Sequence, residues 1–226
     1  MNLIHSIVLL GLISLIPCAS GITWRSQYYS QSQAQAFGRD HVSFHGVGIG
    51  FGCTGTLFHS NRHVITAAHC TSASSWKIRS HAHVATSSHY TVPNYDVRVC
   101  KLAANSGGTT YGLNGVMANE VGRDFHKNGT GAYGDIGSVN FGGWWQHGYP
   151  LAGRNTYTTV TGGTLRYVLK TNAASVGTAP GDSGSSGLMK HTDGKWYITS
   201  TTNGPGSGFY VDTQSRAVRS YIYQRL

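Results

Sequence analysis

From His41 onward, short stretches of alternating apolar and polar residues are punctuated by glycine. "HVSFHGVGIGFG", "GTLF", "HVITAA", "YTV" and "DVRVCKL" make a first set. A Gly/Thr/Asn stretch from Asn105 to Gly115 reads as a linker. "IGSVNFGGWW", "TYTTVTGG", "TLRYVLK", "SGLM", "KWYITST" and "GFYV" make a second set. Alternation at period two marks half-buried strands, and glycine marks tight turns. Two sets of roughly six strands predict an all-β protein of two antiparallel six-stranded β-barrels, at residues 39–108 and 109–211. The tail, 212–226, changes period. Asp212 or Thr213 is placed to cap a helix, with Val218, Tyr221, Ile222 and Leu226 on one face. Arg216, Arg219 and Arg225 fall mostly off that face, and a C-terminal amphipathic α-helix docked on a barrel is expected.

Residues 1–20 stand apart. Leu3 to Ile16 is apolar except for His5, Ser6 and Ser14, and small residues follow Pro17. This predicts a secretory signal peptide, cleaved after Ser20 or Gly21, although no Lys or Arg precedes the apolar run. No other stretch is apolar and long enough to cross a membrane as a helix, so the mature chain is expected to be soluble and extracellular. Residues 21–38, rich in Gln, Ser and Tyr, read as an N-terminal arm or a short propeptide.

Composition narrows the function. Aromatic residues (11%) are spread along the chain, which argues against disorder. The formal charge of +9 is carried by scattered single residues, so no nucleic-acid-binding arm is evident. Of four cysteines, Cys18 leaves with the signal. The other three, Cys53, Cys70 and Cys100, allow one disulfide and one free thiol, and Cys100 sits in a strand pattern as a buried apolar residue would. His81, His83 and His89 could share a strand face and hold a metal. No Cys or carboxylate joins them at ligand spacing, so no metal and no cofactor is expected. Asn128 opens an N-glycosylation sequon in a predicted loop, and Trp144-Trp145 reads as core or inter-barrel packing.

Three stretches suggest chemistry together: "VITAAHC" with His69, "VPNYDVRVCKL" with Asp96, and "PGDSGSS" with Ser183. A serine hydroxyl is too weak an acid to attack an amide unaided. It needs a neutral imidazole to take its proton, and the imidazole needs a carboxylate to fix its tautomer. A tight "GDSG" turn can aim the amides of Gly181 and Ser183 at the oxyanion that forms.

From about His41 to Leu226 the chain resembles the chymotrypsin-like serine endopeptidases, the family that includes trypsin. "TAAHC" and "GDSG" are its most specific motifs, and "PNYD" and "TAPGDSG" look like its bacterial streptogrisin-type branch. The resemblance implies His69 as general base, Asp96 as orienter, Ser183 as nucleophile and the amides of Gly181 and Ser183 as the oxyanion hole. It implies a Cys53–Cys70 disulfide, leaving Cys100 free. Gly177 and Thr178 would lie at the base of the specificity pocket, with Ser200, Thr201 and Thr202 as its wall. Trypsin-type members carry an aspartate where Gly177 stands, so preference for Arg or Lys is not expected. Thr202 should narrow the entrance, favouring small or medium uncharged P1 side chains, and Thr199 stands where acid-preferring members would need histidine. Cleavage after Gly21 would make Ile22 a new N-terminus able to pair with Asp182; otherwise Asp182 must find another partner. Expected partners are protein or peptide substrates and protein protease inhibitors, with no nucleic acid and no membrane after signal removal, acting on a monomer. Two other classes compete: a catalytically inactive protease-fold binding protein, and a basic polysaccharide-binding protein using Trp144 and Trp145.

Overall fold

A computed structural model describes residues 22–115, 119–136, 138–140, 149–171 and 174–226. The signal-peptide expectation and the Trp144-Trp145 pair therefore lie outside the described residues. The protein is mostly β, with one closed six-stranded barrel, a half-barrel and a C-terminal helix. The chain enters through β1 (Ile22–Trp24), α1 (Gln31–Asp40) and a 3-10 turn (Val42–Phe44). The closed barrel uses β2 (Val47–Gly50), β3 (Cys53–Leu57), β4 (His63–Thr66), β5 (Ser75–Ile78), β6 (His83–Thr91) and β7 (Arg98–Leu102), in the order β2-β3-β4-β7-β6-β5.

The linker carries β8 (Gly112–Leu113), and the second half follows as β9 (Asp124–Gly129), β10 (Tyr133–Asp135), β11 (Ser138–Asn140), β12 (Leu151–Thr156), β13 (Thr159–Thr161) and β14 (Thr164–Tyr167). It ends with β15 (Gly177–Thr178), β16 (Ser186–Lys190), β17 (Trp196–Pro205), β18 (Tyr210–Gln214) and α2 (Ser215–Tyr223). Its main sheet runs β12-β9-β16-β17-β18-β14-β13, with β8 alongside β17. A separate small sheet runs β11-β10-β1-β15.

The first barrel is filled by Trp76, Leu57, Val64, Ile78 and Leu102, and the buried Cys100 thiol lies among them. Side chains at Gly50 or Gly55 would collide with the Trp76 ring, which explains those glycines. A second apolar cluster joins the barrel to the other half and to α2, which buries Val218 and Ile222. That helix starts later than expected. Asp212 and Thr213 stay in β18, and the N-cap is Gln214, which makes no side-chain cap bond.

Within the expected arm, residues 22–38 are ordered into β1 and most of α1. Ser30 and Gln33 form a capping box: the Ser30 hydroxyl accepts from the Gln33 amide, and the Gln33 side chain accepts from the Ser30 amide at 2.8 Å. The helix packs on β12, where Tyr29 donates to the Ala152 carbonyl (2.8 Å) and Phe37 packs against Phe44 and His126. Burial pulls His126 down to about 3, and its Nδ1 shares the Ser43 hydroxyl with His41.

Asn128 is a correction. It lies in β9 rather than a loop, is fully buried, and donates its side-chain amide to the Ser186 carbonyl (3.0 Å). Folded protein offers no enzyme access to that nitrogen. Protein secreted from a glycosylating host is expected to carry no glycan there; an endoglycosidase-sensitive mass shift mapped to Asn128 would contradict the burial.

Candidate active site

His69 lies just beyond β4, in the loop closed by the Cys53–Cys70 disulfide (Cα–Cα 6.1 Å). Asp96 sits in the tight turn between β6 and β7, closed by the Val92 amide donating to Val97 (2.8 Å). Arg98, in β7, donates to the Cys70 carbonyl at 2.7 Å and so ties the histidine loop to the aspartate strand. Ser183 comes from the other half, on the loop between β15 and β16.

These three converge. His69 Nδ1 lies 2.7 Å from Asp96 Oδ2, and the His69 amide donates to Asp96 Oδ1 at 3.0 Å. His69 Nε2 lies 2.7 Å from Ser183 Oγ. A carboxylate accepts only, so Nδ1 carries the proton and Nε2 is left to accept from the serine hydroxyl. The Asp96 hydrogen bond raises the His69 pKa above its ordinary value, against the opposing effect of burial. Burial works against ionisation of Asp96, yet bonds from the His69 ring and backbone hold its carboxyl below the usual range. The His69 side chain is half exposed, so the relay opens to solvent.

Beside it, Gly181 adopts φ +87°, open to glycine and costly for other residues. Among the described residues, nothing accepts from the amide N–H groups of Gly181 or Ser183. Gly184 is also required: a side chain there would strike Thr66 Oγ1 and the Thr54 carbonyl. Asp182 is fully buried, which raises its carboxyl well above the usual range. The Ala179 amide donates to its Oδ2 at 2.9 Å, while Oδ1 has no hydrogen-bond partner among the described residues.

The expected pocket residues are placed differently. Gly177 and Thr178 are buried and pair with β1, Thr23 opposite Gly177 and Ile22 opposite Thr178. A side chain at Gly177 would run into the Tyr210 ring. Ser200, Thr201 and Thr202 are a correction: they are buried inside β17 between β16 and β18, not on a cleft wall. Thr202 cannot narrow an entrance, because its hydroxyl bonds inward to Lys127 Nζ and to Ser185. Thr199 likewise points inward, donating to the Gly187 carbonyl. Toward its C-terminal end the strand reaches the surface at Asn203, Gly204 and Pro205, where a bulge lies between Thr202 and Gly204.

Sequence reasoning missed what lies beneath. Lys127 is fully buried and bonded to Asp212 at 2.9 and 3.1 Å. Asp212 also accepts from the Ser200 hydroxyl (2.6 Å) and the Tyr157 hydroxyl (3.3 Å). Burial lowers the Lys127 ammonium, and the Asp212 carboxylate opposes that. A lone Lys in "DFHKNG" carries no pattern that would announce burial. His83 and His89 are exposed on β6, and no group of metal-ligating side chains converges among the described residues. No protein-family model matches the chain, and no curated protein sequence does either.

Proposed function

We propose that the chain is a secreted serine endopeptidase on a two-barrel, chymotrypsin-like plan. The observation that carries this reading is the Asp96–His69–Ser183 relay, with bonds of 2.7 Å on both sides of the imidazole, beside two unengaged amides. His69 takes the Ser183 proton as Oγ attacks the scissile carbonyl, and the N–H groups of Gly181 and Ser183 donate to the oxyanion. The imidazolium returns the proton to the leaving amine, which departs. Water then gives a proton to His69 as it attacks the acyl-enzyme, and Ser183 leaves with its proton restored.

Arg or Lys at P1 is disfavoured, since Gly177 brings no charge and the buried Asp212 is already paired with Lys127. Uncharged P1 side chains suit the site, with Asn203–Pro205 rather than Ser200–Thr202 flanking the substrate. A chain starting at Ile22 would carry a new amine on the strand next to Thr178, with the unpartnered Asp182 oxygen as its counter-ion. Signal cleavage after Gly21 would supply such an end. Proteins and peptides are the substrates, and protein inhibitors are the expected binding partners.

A fluorophosphonate probe tests the reading. One adduct at Ser183 by intact mass and peptide mapping is expected, absent from Ser183→Ala. Folded wild-type protein that takes no label and cleaves no member of a peptide library would overturn it in favour of a binding protein.

A further inference from the structure

Four consecutive carbonyls of the serine loop are each held by a hydrogen bond. The Pro180 carbonyl accepts from Ala132 N (3.4 Å), Gly181 from Thr54 Oγ1 (3.1 Å), Asp182 from Ser185 N (2.8 Å) and Ser183 from Thr54 N (2.9 Å). In a trans peptide the C=O and N–H point oppositely, so an anchored carbonyl aims the amide of the next residue. The Ser183 N–H is aimed by the short Asp182–Ser185 bond. The Gly181 N–H has only the long Pro180–Ala132 bond behind it, at a residue whose backbone turns freely. The Thr54 hydroxyl is the one side chain among these anchors; on the other side of the Gly181 Cα it holds the Gly181–Asp182 peptide, together with the Asp182 amide donating to the Ala179 carbonyl (3.1 Å).

Its hydrogen-bond inventory is complete. Thr54 Oγ1 accepts from the Thr130 amide (3.1 Å) and lies 2.6 Å from the Thr130 hydroxyl. The Thr130 hydroxyl also has the Cys53 carbonyl at 3.5 Å; with its hydrogen on the much shorter 2.6 Å contact and the Thr130 amide as the second donor, the Thr54 hydrogen goes to the Gly181 carbonyl. Thr54 is fully buried and follows Cys53, whose disulfide partner Cys70 adjoins His69. One dipeptide of the first barrel thus reaches both the base and the oxyanion loop.

We infer that Thr54 is a positioning residue for the oxyanion hole: by fixing the peptide plane on the far side of the Gly181 Cα, its hydroxyl limits how that glycine turns and so keeps the Gly181 N–H toward the developing negative charge. The inference rests on the endopeptidase reading. Thr54→Val is isosteric and removes the donor; Thr54→Ser keeps it.

The expected result on a peptide amide substrate is a fall in kcat of about tenfold or more for Thr54→Val, with KM changed by less than about twofold. Thr54→Ser should recover kcat to within about twofold of wild type. Affinity for a peptide trifluoromethyl ketone, whose adduct carries an oxyanion, should fall in parallel with kcat/KM, while the His69 limb of the pH profile stays in place. A merely structural role would not move kcat and the adduct affinity together and leave that limb fixed. If Thr54→Val does not fold, Thr54→Ala gives the same readout without setting a methyl against the Thr130 amide. Wild-type kcat in either folded variant, or an effect confined to KM, overturns the inference. Wild-type protein left unlabelled at Ser183 by the fluorophosphonate overturns the endopeptidase reading instead, and Thr54 with it.

Discussion

Asp96→Asn is expected to lower kcat by about four orders of magnitude, with substrate binding little affected. Asp96 grips His69 twice, through the ring Nδ1 and through the backbone amide. An asparagine that keeps the backbone bond turns its NH2 toward Nδ1. The imidazole then carries its proton on Nε2, where it cannot accept from Ser183. The pH profile supplies an independent check. Wild-type kcat/KM should fall as pH drops through the His69 pKa, which the Asp96 bond holds above the ordinary histidine value. In the variant the acid limb should move to lower pH. Stability runs the other way. Attraction between protonated His69 and Asp96 contributes fully below the unfolded-state histidine pKa and is lost as pH rises through the raised folded value. Residual activity above about a tenth of wild type would remove Asp96 from the relay.

Lys127→Met should destabilise the fold by about 3–5 kcal/mol, because it strands Asp212 as an unpaired buried charge. In a chain of this size that corresponds to a melting temperature lower by about 10 °C. The effect should reach the site, since Lys127 also bonds Thr202, which shares a hydrogen bond with Ser185 two residues beyond Ser183. Lys127→Met combined with Asp212→Asn should regain most of the loss, because the second change removes the stranded charge. Thermal unfolding of both variants decides it. A single variant within about 1 kcal/mol of wild type would mean the pair contributes little beyond filling space.

The strands with alternating or compact apolar patterns were readable in advance, as with "HVIT" in β4 and "RVCKL" in β7. Those carried by polar residues were not. In β9, His126, Lys127 and Asn128 are buried because each finds a partner far along the chain, which no local pattern encodes. The helix at 31–40 had its Ser30–Gln33 signature in plain view, but its polar composition reads as an N-terminal arm or a short propeptide. His69, Asp96 and Ser183 could be picked out because the chemistry demands those residue types, and the structure brings them together. The pocket assignment misplaced β17, because the bulge at Thr202/Gly204 delays the strand's emergence to Asn203. Thr54 was invisible, since its role depends on a contact between halves of the chain.

The small sheet β11-β10-β1-β15 has a consequence for how the protein is made. β1 is the first described strand, yet its partners lie about half and about two-thirds of the chain length downstream, at Gly134–Asp135 and at Gly177–Thr178. Such pairing closes a very long loop before it gains any contact, which slows folding. On the ribosome, this first described strand must wait, with Ile22 and Trp24 unburied, until the chain has emerged as far as Thr178. The segment leading into the nucleophile is therefore among the last parts to become ordered, and a chain cut short before Thr178 cannot assemble the site.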